Sequence, residues 1–330
     1  MKNLTYIAEL CQNHLGKEAY VNSMLERCAQ AGADIVKLQF IYSNKIAFRS
    51  QFELGLKNGK KIIAIKRPYN TEFHRLKKLE LPLNYYKKFI KRCNYFGIDP
   101  MITCFTRDDV NKIYDLGFKH IKLASYDCGS FPLVRDVCKK FKKIFISTGA
   151  TYDDEIKKTS VICKKHNIDP VFLHCVTIYP TAPKHFNLKR ISFLNKFVKK
   201  VGYSDHSLAT NKHKNFASMA AIYFGANFIE RHITILDSNK TKDGVVSINP
   251  EDIKEVKNFA KLKKHEMLSY LKDKFKINLN QVKGNSKRKL SHEELLNRNY
   301  YRGRFCSKIN ISGQTKDLFN WEEEPNNFGK

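Results

Sequence analysis

The chain has 330 residues, 42% of them hydrophobic and 28% charged, with a formal net charge of +28. That length buries one large core with at most a small appendage, and the composition excludes a disordered or fibrous chain. No run approaches the roughly 18–20 apolar residues of a membrane span, and the start, MKNLTYIAEL, lacks the apolar core of a secretory leader, so a cytoplasmic protein without a membrane partner is expected.

Strand-like runs recur at 5–9, 35–40, 101–105, 120–125, 144–148, 171–176, 201–206 and 227–232, and most are continuously apolar, as in strands covered on both faces. Between them lie segments of helical periodicity, such as 19–30 and 108–116. Eight such units predict a (β/α)8 TIM barrel with a short C-terminal appendage. A doubly wound open sheet is the competing architecture, but no glycine-rich phosphate fingerprint follows the first strand.

The stretch 41–100 is too long for one crossover; it carries turn signals at Asn58-Gly59 and Pro68 and a helix near 84–95. It is expected as a long loop over the barrel mouth. Asn249, Pro250, Glu251 and Asp252 read as a helix start that closes the barrel by about residue 264. The expected division is thus a barrel over 1–265, a charged linker over 266–296 and an appendage over 297–330.

Nine cysteines form an odd set without CxxC pairs, and Cys104 and Cys175 fall inside apolar runs, so reduced, buried thiols are expected. The positive charge is spread along the chain, with no helix-turn-helix, zinc-finger or RNA-motif pattern. It reads as a lysine-rich solvated surface or as steering of small anions, and no specific nucleic-acid partner is expected.

In barrel enzymes the catalytic groups gather at the C-terminal strand ends. Those ends offer Glu9, with Asn13 and His14 after it, then Lys37 and Gln39, Thr103 and Thr106, and Lys122, Ser125 and Asp127. Ser147-Thr148-Gly149 follows, then Thr177, Tyr179 and Thr181, then Ser204, Asp205, His206, Glu230 and His232, with Asp243 in the last loop. Lys37 and Lys122 alternate with apolar neighbours and so point into the mouth, where each needs a counter-charge. Thr103, Ser125 and Ser147 are hydroxyls suited to phosphate or carboxylate oxygens, although each alone also suits a turn cap. His206 alone suits a turn and His232 alone suits a core. At the ends of adjacent parallel strands, roughly 4.8 Å apart, the two imidazoles converge on one divalent cation and leave positions open for substrate. His14 in the first turn is expected as a loop anchor rather than a third ligand.

The segments AELCQNHLG, AGADIVKLQF, IKLASYDCGSFPL, ISTGA, LHCVTIYPT, GYSDHS and ERHIT, with Asp243 beyond, resemble in order the motifs of the sialic acid synthase family. The resemblance runs from about Tyr6 to Pro250. It implies a transferase of surface polysaccharide biosynthesis that condenses phosphoenolpyruvate with an open-chain N-acetylated hexosamine, N-acetylmannosamine or a diacetamido-trideoxyhexose. Phosphate leaves by C–O cleavage. By the same resemblance, His206 and His232 hold a divalent ion, Mn²⁺ first and Mg²⁺ or Co²⁺ otherwise. Lys37, Thr103, Lys122, Ser125, Ser147, Thr177 and Ser204 match positions that bind phosphoenolpyruvate. Gln39, Tyr179 and Asp243 match positions that bind the sugar. Glu9 and Asp127 match acidic positions near the reacting centre, implied to activate water and move protons. A homodimer is implied too, because family members carry an antifreeze-like domain that caps the partner's site and lends it an arginine. Here RGRFCSKINISGQTKDLFNWEE resembles the opening of that domain, while the Arg-Pro-Gly stretch is replaced by EEEPNNFGK, so a shortened cap is expected, with Arg302 or Arg304 as the available substitutes. The rival reading is a barrel of the same family that binds sugar without turnover.

Overall fold

In a computed structural model, described over residues 4–311 and 313–323, eight strands close into a parallel barrel. The order of elements explains why. β1 (Thr5–Glu9) is followed by α1 (Glu18–Gln30), whose Val21, Met24, Leu25 and Cys28 repeat at helical spacing and pack on the barrel wall. β2 (Ile35–Gln39) then leads into the long excursion expected as a loop. That stretch is folded. It holds a small hairpin of β3 (Leu56–Asn58) and β4 (Lys61–Ala64), then α2 (Tyr69–Lys77) and α3 (Leu83–Tyr95). α3 is the wall helix of the second unit, with Tyr85, Tyr86, Phe89 and Cys93 buried, so the true insertion spans only the residues before it.

The remaining units follow in turn: β5 (Asp99–Cys104), α4 (Asp109–Asp115), β6 (His120–Leu123), α5 (Phe131–Lys140), β7 (Lys143–Ser147), α6 (Asp153–Lys165), β8 (Val171–His174) and α7 (Arg190–Leu194). β9 (Lys200–Asp205), α8 (Phe216–Tyr223), β10 (Phe228–His232) and α9 (Ile253–Phe259) complete the ring, and β10 hydrogen-bonds to β1. The helix start at Asn249 is a capping box with Asp252, as the sequence suggests.

The charged stretch expected as a linker is also folded, over α10 (Lys264–Phe275) and α11 (Leu279–Lys283). Met267, Leu271 and Phe275 recur every four residues, and Phe275 packs edge-on against Phe216 of α8 at 5.2 Å. The apolar stripe is narrow and outnumbered by lysines, which is why charge density alone hides it. α12 (His292–Tyr301) starts at a Ser291–Glu294 capping box, and the hairpin β11 (Ser307–Ile311) and β12 (Gln314–Leu318) follows. This C-terminal segment lies over the mouth of its own barrel: Cys306 N donates to Lys45 O, Ala47 N to Arg304 O, and Leu133 N to Asn320 O. The end of the expected appendage, 324–330, lies outside the described residues. No helix among the described residues is long and apolar enough to cross a membrane, and all nine cysteines are buried thiols.

Strand parity positions the site. Successive strand residues alternate between the barrel interior and the helical layer. Ile7, Ile35, Met101, Phe145, Val171 and Leu173 form the apolar plug inside the barrel, with Phe228 against it. Two residues further along the strands, on the same inward face, stand Glu9, Lys37, Thr103, Ser147 and Glu230. One layer of the barrel is thus oil and the next is charge.

Candidate active site

The register brings the second layer together. Glu9 pairs with Lys37 on one side and His232 on the other, Thr103 with Lys122, and Glu230 with Ser204. These groups line a cavity of about 410 Å³ at the C-terminal strand ends. Glu9, Lys37, Gln39, Thr103, Lys122, Ser125, Asp127, Ser147, Tyr179, Ser204, His206, His232 and Asp243 all face it. Thr177 does not. It is fully buried outside the lining, its carbonyl accepts from Asn297 Nδ2 at 2.7 Å, and its methyl fills the space left by Gly149, where a Cβ would approach within 2.8 Å. The hydroxyl expected to meet phosphate therefore stands outside the cavity lining in this conformation.

The counter-charge that the two lysines require is Glu230. Lys37 Nζ lies 2.8 Å from Glu230 Oε2 and also pairs with Glu9, while Lys122 Nζ reaches both Glu230 oxygens at 2.8 and 2.9 Å. Ser204 Oγ donates to the same carboxylate at 2.7 Å. Burial opposes the charge on Glu230, but Lys122 and Lys37 outweigh it and hold the carboxyl well below its ordinary range. Burial works against Lys37 too, yet Glu230 and Glu9 hold its ammonium above the usual value. Lys122 shares one carboxylate and feels the Lys37 charge, so burial pushes it down to about 8. Glu9 is raised, burial prevailing over Lys37. Thr103 Oγ1 is buried with no partner among the described residues, a hydroxyl free to meet a ligand.

Above this layer the two imidazoles come together with ring centroids 5.3 Å apart. His206 Nδ1 donates to Val176 O at 2.9 Å, which leaves Nε2 with its lone pair, and Tyr179 OH lies 3.1 Å from it. The His232 carbonyl accepts from Ile248 N at 2.9 Å, while its imidazole, in a residue only 7% exposed, has no hydrogen-bond partner among the described residues. Burial lowers both, His206 to about 3 and His232 to about 4, so both are neutral bases at working pH, the form a metal needs. Asp243 and Cys11 complete the cluster: ligand atoms of Cys11, His232 and Asp243 lie within 4.8 Å of one another. The donor set fits a divalent ion.

Asp127 sits at the opposite rim. Burial raises its carboxyl to about 6, against donations from Asn320 Nδ2 at 2.9 Å and Ser130 Oγ at 3.0 Å. His14 is an anchor, its Nδ1 accepting from Gly16 N at 3.0 Å, and Asn13 ties the first loop to Ile233 O. Asp205 faces outward, bound to the fully buried Arg231 at 2.5 Å and to Ser218 Oγ at 2.6 Å, one residue out of phase with Ser204.

Several lining residues escape sequence reading. Cys11 looks like one more buried thiol, and Arg67 and Lys242 look like surface charge. Asn297, Tyr301 and Arg304 arrive only because the C-terminal segment folds back over the mouth. Of the two arginines expected as substitutes, Arg304 is the one that lines the cavity, braced by Glu72 of α2. Arg302 instead reaches Gly129 O and Glu155.

Known proteins resemble this chain over the barrel. The model of the NeuB family matches residues 24–269. The N,N'-diacetyllegionaminic acid synthase of Campylobacter jejuni is 32% identical over 262 residues, 77% of this chain and 74% of that one. The N-acetylneuraminate-9-phosphate synthase of Mus musculus is 29% identical over 259 residues, 76% of this chain and 67% of that one. Among solved structures, the N-acetylneuraminic acid synthetase of Leptospira borgpetersenii, in complex with citrate, superposes with a TM-score of 0.67 at 22% identity, covering 90% of this chain and 91% of that one. The Bacillus subtilis spore coat protein SpsE gives 0.68 at 22% identity, covering 90% and 77%. These likenesses carry the barrel fold.

Proposed function

The chain belongs to the NeuB family, and on that premise we propose that it is a nonulosonic acid synthase, condensing phosphoenolpyruvate with an open-chain N-acetylated hexosamine. The observation that carries this reading is the buried charge layer: two ammonium groups on one carboxylate directly beneath a pair of neutral imidazoles.

Lys37 and Lys122 meet the carboxylate and phosphate of phosphoenolpyruvate, with Thr103, Ser125, Ser147 and Ser204 donating to its oxygens. Glu230 keeps both ammonium groups charged and aimed before the ligand arrives, so their orientation is set in advance. The aldehyde end of the sugar lies toward Gln39, Tyr179 and Asp243. Its distal end faces Arg304, Tyr301 and Asn297 of the C-terminal segment.

C3 of phosphoenolpyruvate bonds to the aldehyde carbon, water adds at C2, and phosphate departs with its bridging oxygen. Asp127, titrating near neutrality, and Glu9, raised by burial, are the groups able to take and return protons around that exchange. A divalent ion held by His206 and His232, Mn²⁺ on the resemblance, supplies Lewis acidity toward the aldehyde oxygen. The catalytic unit is the barrel of 1–265, and the cap is the segment from α12 onward.

The test is phosphate release from phosphoenolpyruvate with a divalent metal and, separately, N-acetylmannosamine and diacetamido-trideoxyhexoses. Acceptor-dependent release with formation of a 2-keto acid is expected. No release with any acceptor, across several metals, removes the reading.

A further inference from the structure

We infer that Cys11 is a further metal ligand, so that Cys11 Sγ and Asp243 join His232 around the ion that His206 and His232 are proposed to hold. The inference deepens the synthase reading and rests on it only for the use made of the ion.

Cys11 stands in the first turn after β1 with φ of 47°, a left-handed conformation that residues with a Cβ avoid. The turn is pinned by Cys11 N donating to Glu9 Oε1 at 2.6 Å, and it carries Sγ over the mouth rather than into the wall. There Sγ lies 2.9 Å from Asp243 Oδ2 and 3.3 Å from Gln39 Nε2, although 232 residues separate Cys11 from Asp243. Two other cysteines at strand ends serve differently: Cys104 donates to a backbone carbonyl, Thr106 O, and Cys175, just past β8, lies beside Ser125 Oγ.

The second observation is His232 itself. Its imidazole is buried against the same cavity without a hydrogen-bonding partner among the described residues, and its ligand atom lies within 4.8 Å of both Sγ and the Asp243 carboxylate. Around an ion with bonds of about 2.0–2.3 Å, ligand atoms sit no more than about 4.5 Å apart, so small side-chain motions close the site. Binding removes the thiol proton to solvent through the open cavity. A thiolate among the donors moves the preference toward borderline ions such as Zn²⁺, Co²⁺ or Fe²⁺ and away from the Mn²⁺ that the family resemblance implies.

The experiment needs no substrate. Metal-free protein is titrated with Co²⁺ while the absorption spectrum is followed, alongside Cys11→Gly. Glycine suits the left-handed turn, so that variant keeps its fold, checked by circular dichroism. Wild type should develop an intense near-ultraviolet thiolate-to-cobalt charge-transfer band with the weaker visible bands of bound Co²⁺. Cys11→Gly should keep visible bands but lose the intense one, with affinity weakened on the order of tenfold or more. Visible bands in wild type without charge transfer, charge transfer persisting in Cys11→Gly, or no Co²⁺ binding at all each overturn the assignment. A charge-transfer band in a protein that never turns over supports the site and sinks the synthase reading instead.

Discussion

Asn320, ten residues before Lys330, donates its side-chain amide to Asp127 Oδ1 at 2.9 Å while the same nitrogen donates to Phe105 O at 2.8 Å. A group in the C-terminal segment therefore holds the candidate proton-transfer carboxylate of the barrel. The donation favours the ionised form and restrains the rise caused by burial. Asn320→Leu removes it, so the Asp127 carboxyl rises further above about 6. The acid limb of the kcat/KM profile should move to higher pH while the plateau is kept. A profile that does not move rules out Asp127 as the titrating group.

The same carboxyl links pH to stability. Its folded value of about 6 lies above the ordinary 3.8, so the native state binds the proton more tightly than the unfolded one. Its contribution is greatest below about pH 4 and is lost as pH rises through about 6. Asp127→Asn should flatten that part of the stability curve and leave the variant on the order of 2–3 kcal/mol more stable than wild type at pH 7, with turnover abolished. Denaturant unfolding at several pH values checks the slope.

Glu230→Gln strips Lys122 of the only carboxylate it pairs with among the described residues, and Lys37 of one of two. Leaving a buried ammonium uncompensated costs about 3–5 kcal/mol, seen as a lowered melting temperature. Phosphoenolpyruvate brings its own negative charge to the same ammonium groups. It should therefore raise the melting temperature of Glu230→Gln by more than that of wild type. Equal shifts would place the ligand elsewhere.

Arg304→Ala removes a cavity-facing guanidinium that the C-terminal segment supplies to its own barrel. The acceptor KM should rise about tenfold or more, in line with the ~1.5–3 kcal/mol of a hydrogen bond to a charged group. The KM for phosphoenolpyruvate should stay unchanged. If both rise together, Arg304 acts through the fold rather than through the sugar.

What was legible in the sequence follows from strand parity. Lys37, Thr103, Lys122, Ser147 and Ser204 announce themselves because each interrupts or ends an apolar run with one polar residue at the inward phase. The same rule, applied strictly, separates Ser204 and His206 from the outward Asp205, and places Glu230 beside His232 in the mouth. Thr177 lies past the end of β8, where parity no longer constrains direction, and the structure turns it into the wall. The folded excursion before α3 and the helix α10 were hidden by lysine-rich surfaces around narrow apolar stripes. The cap residues Asn297, Tyr301, Arg304 and Asn320 had no local signal, since their roles arise from contacts with residues more than a hundred positions away.

The most direct measurement of the central claim uses phosphoenolpyruvate carrying a heavy-oxygen label in its bridging C–O–P position, turned over with metal and an N-acetylated hexosamine. The account predicts that the label leaves in the inorganic phosphate while the new keto oxygen comes from water. Label retained in the sugar product would mean P–O cleavage and would contradict it.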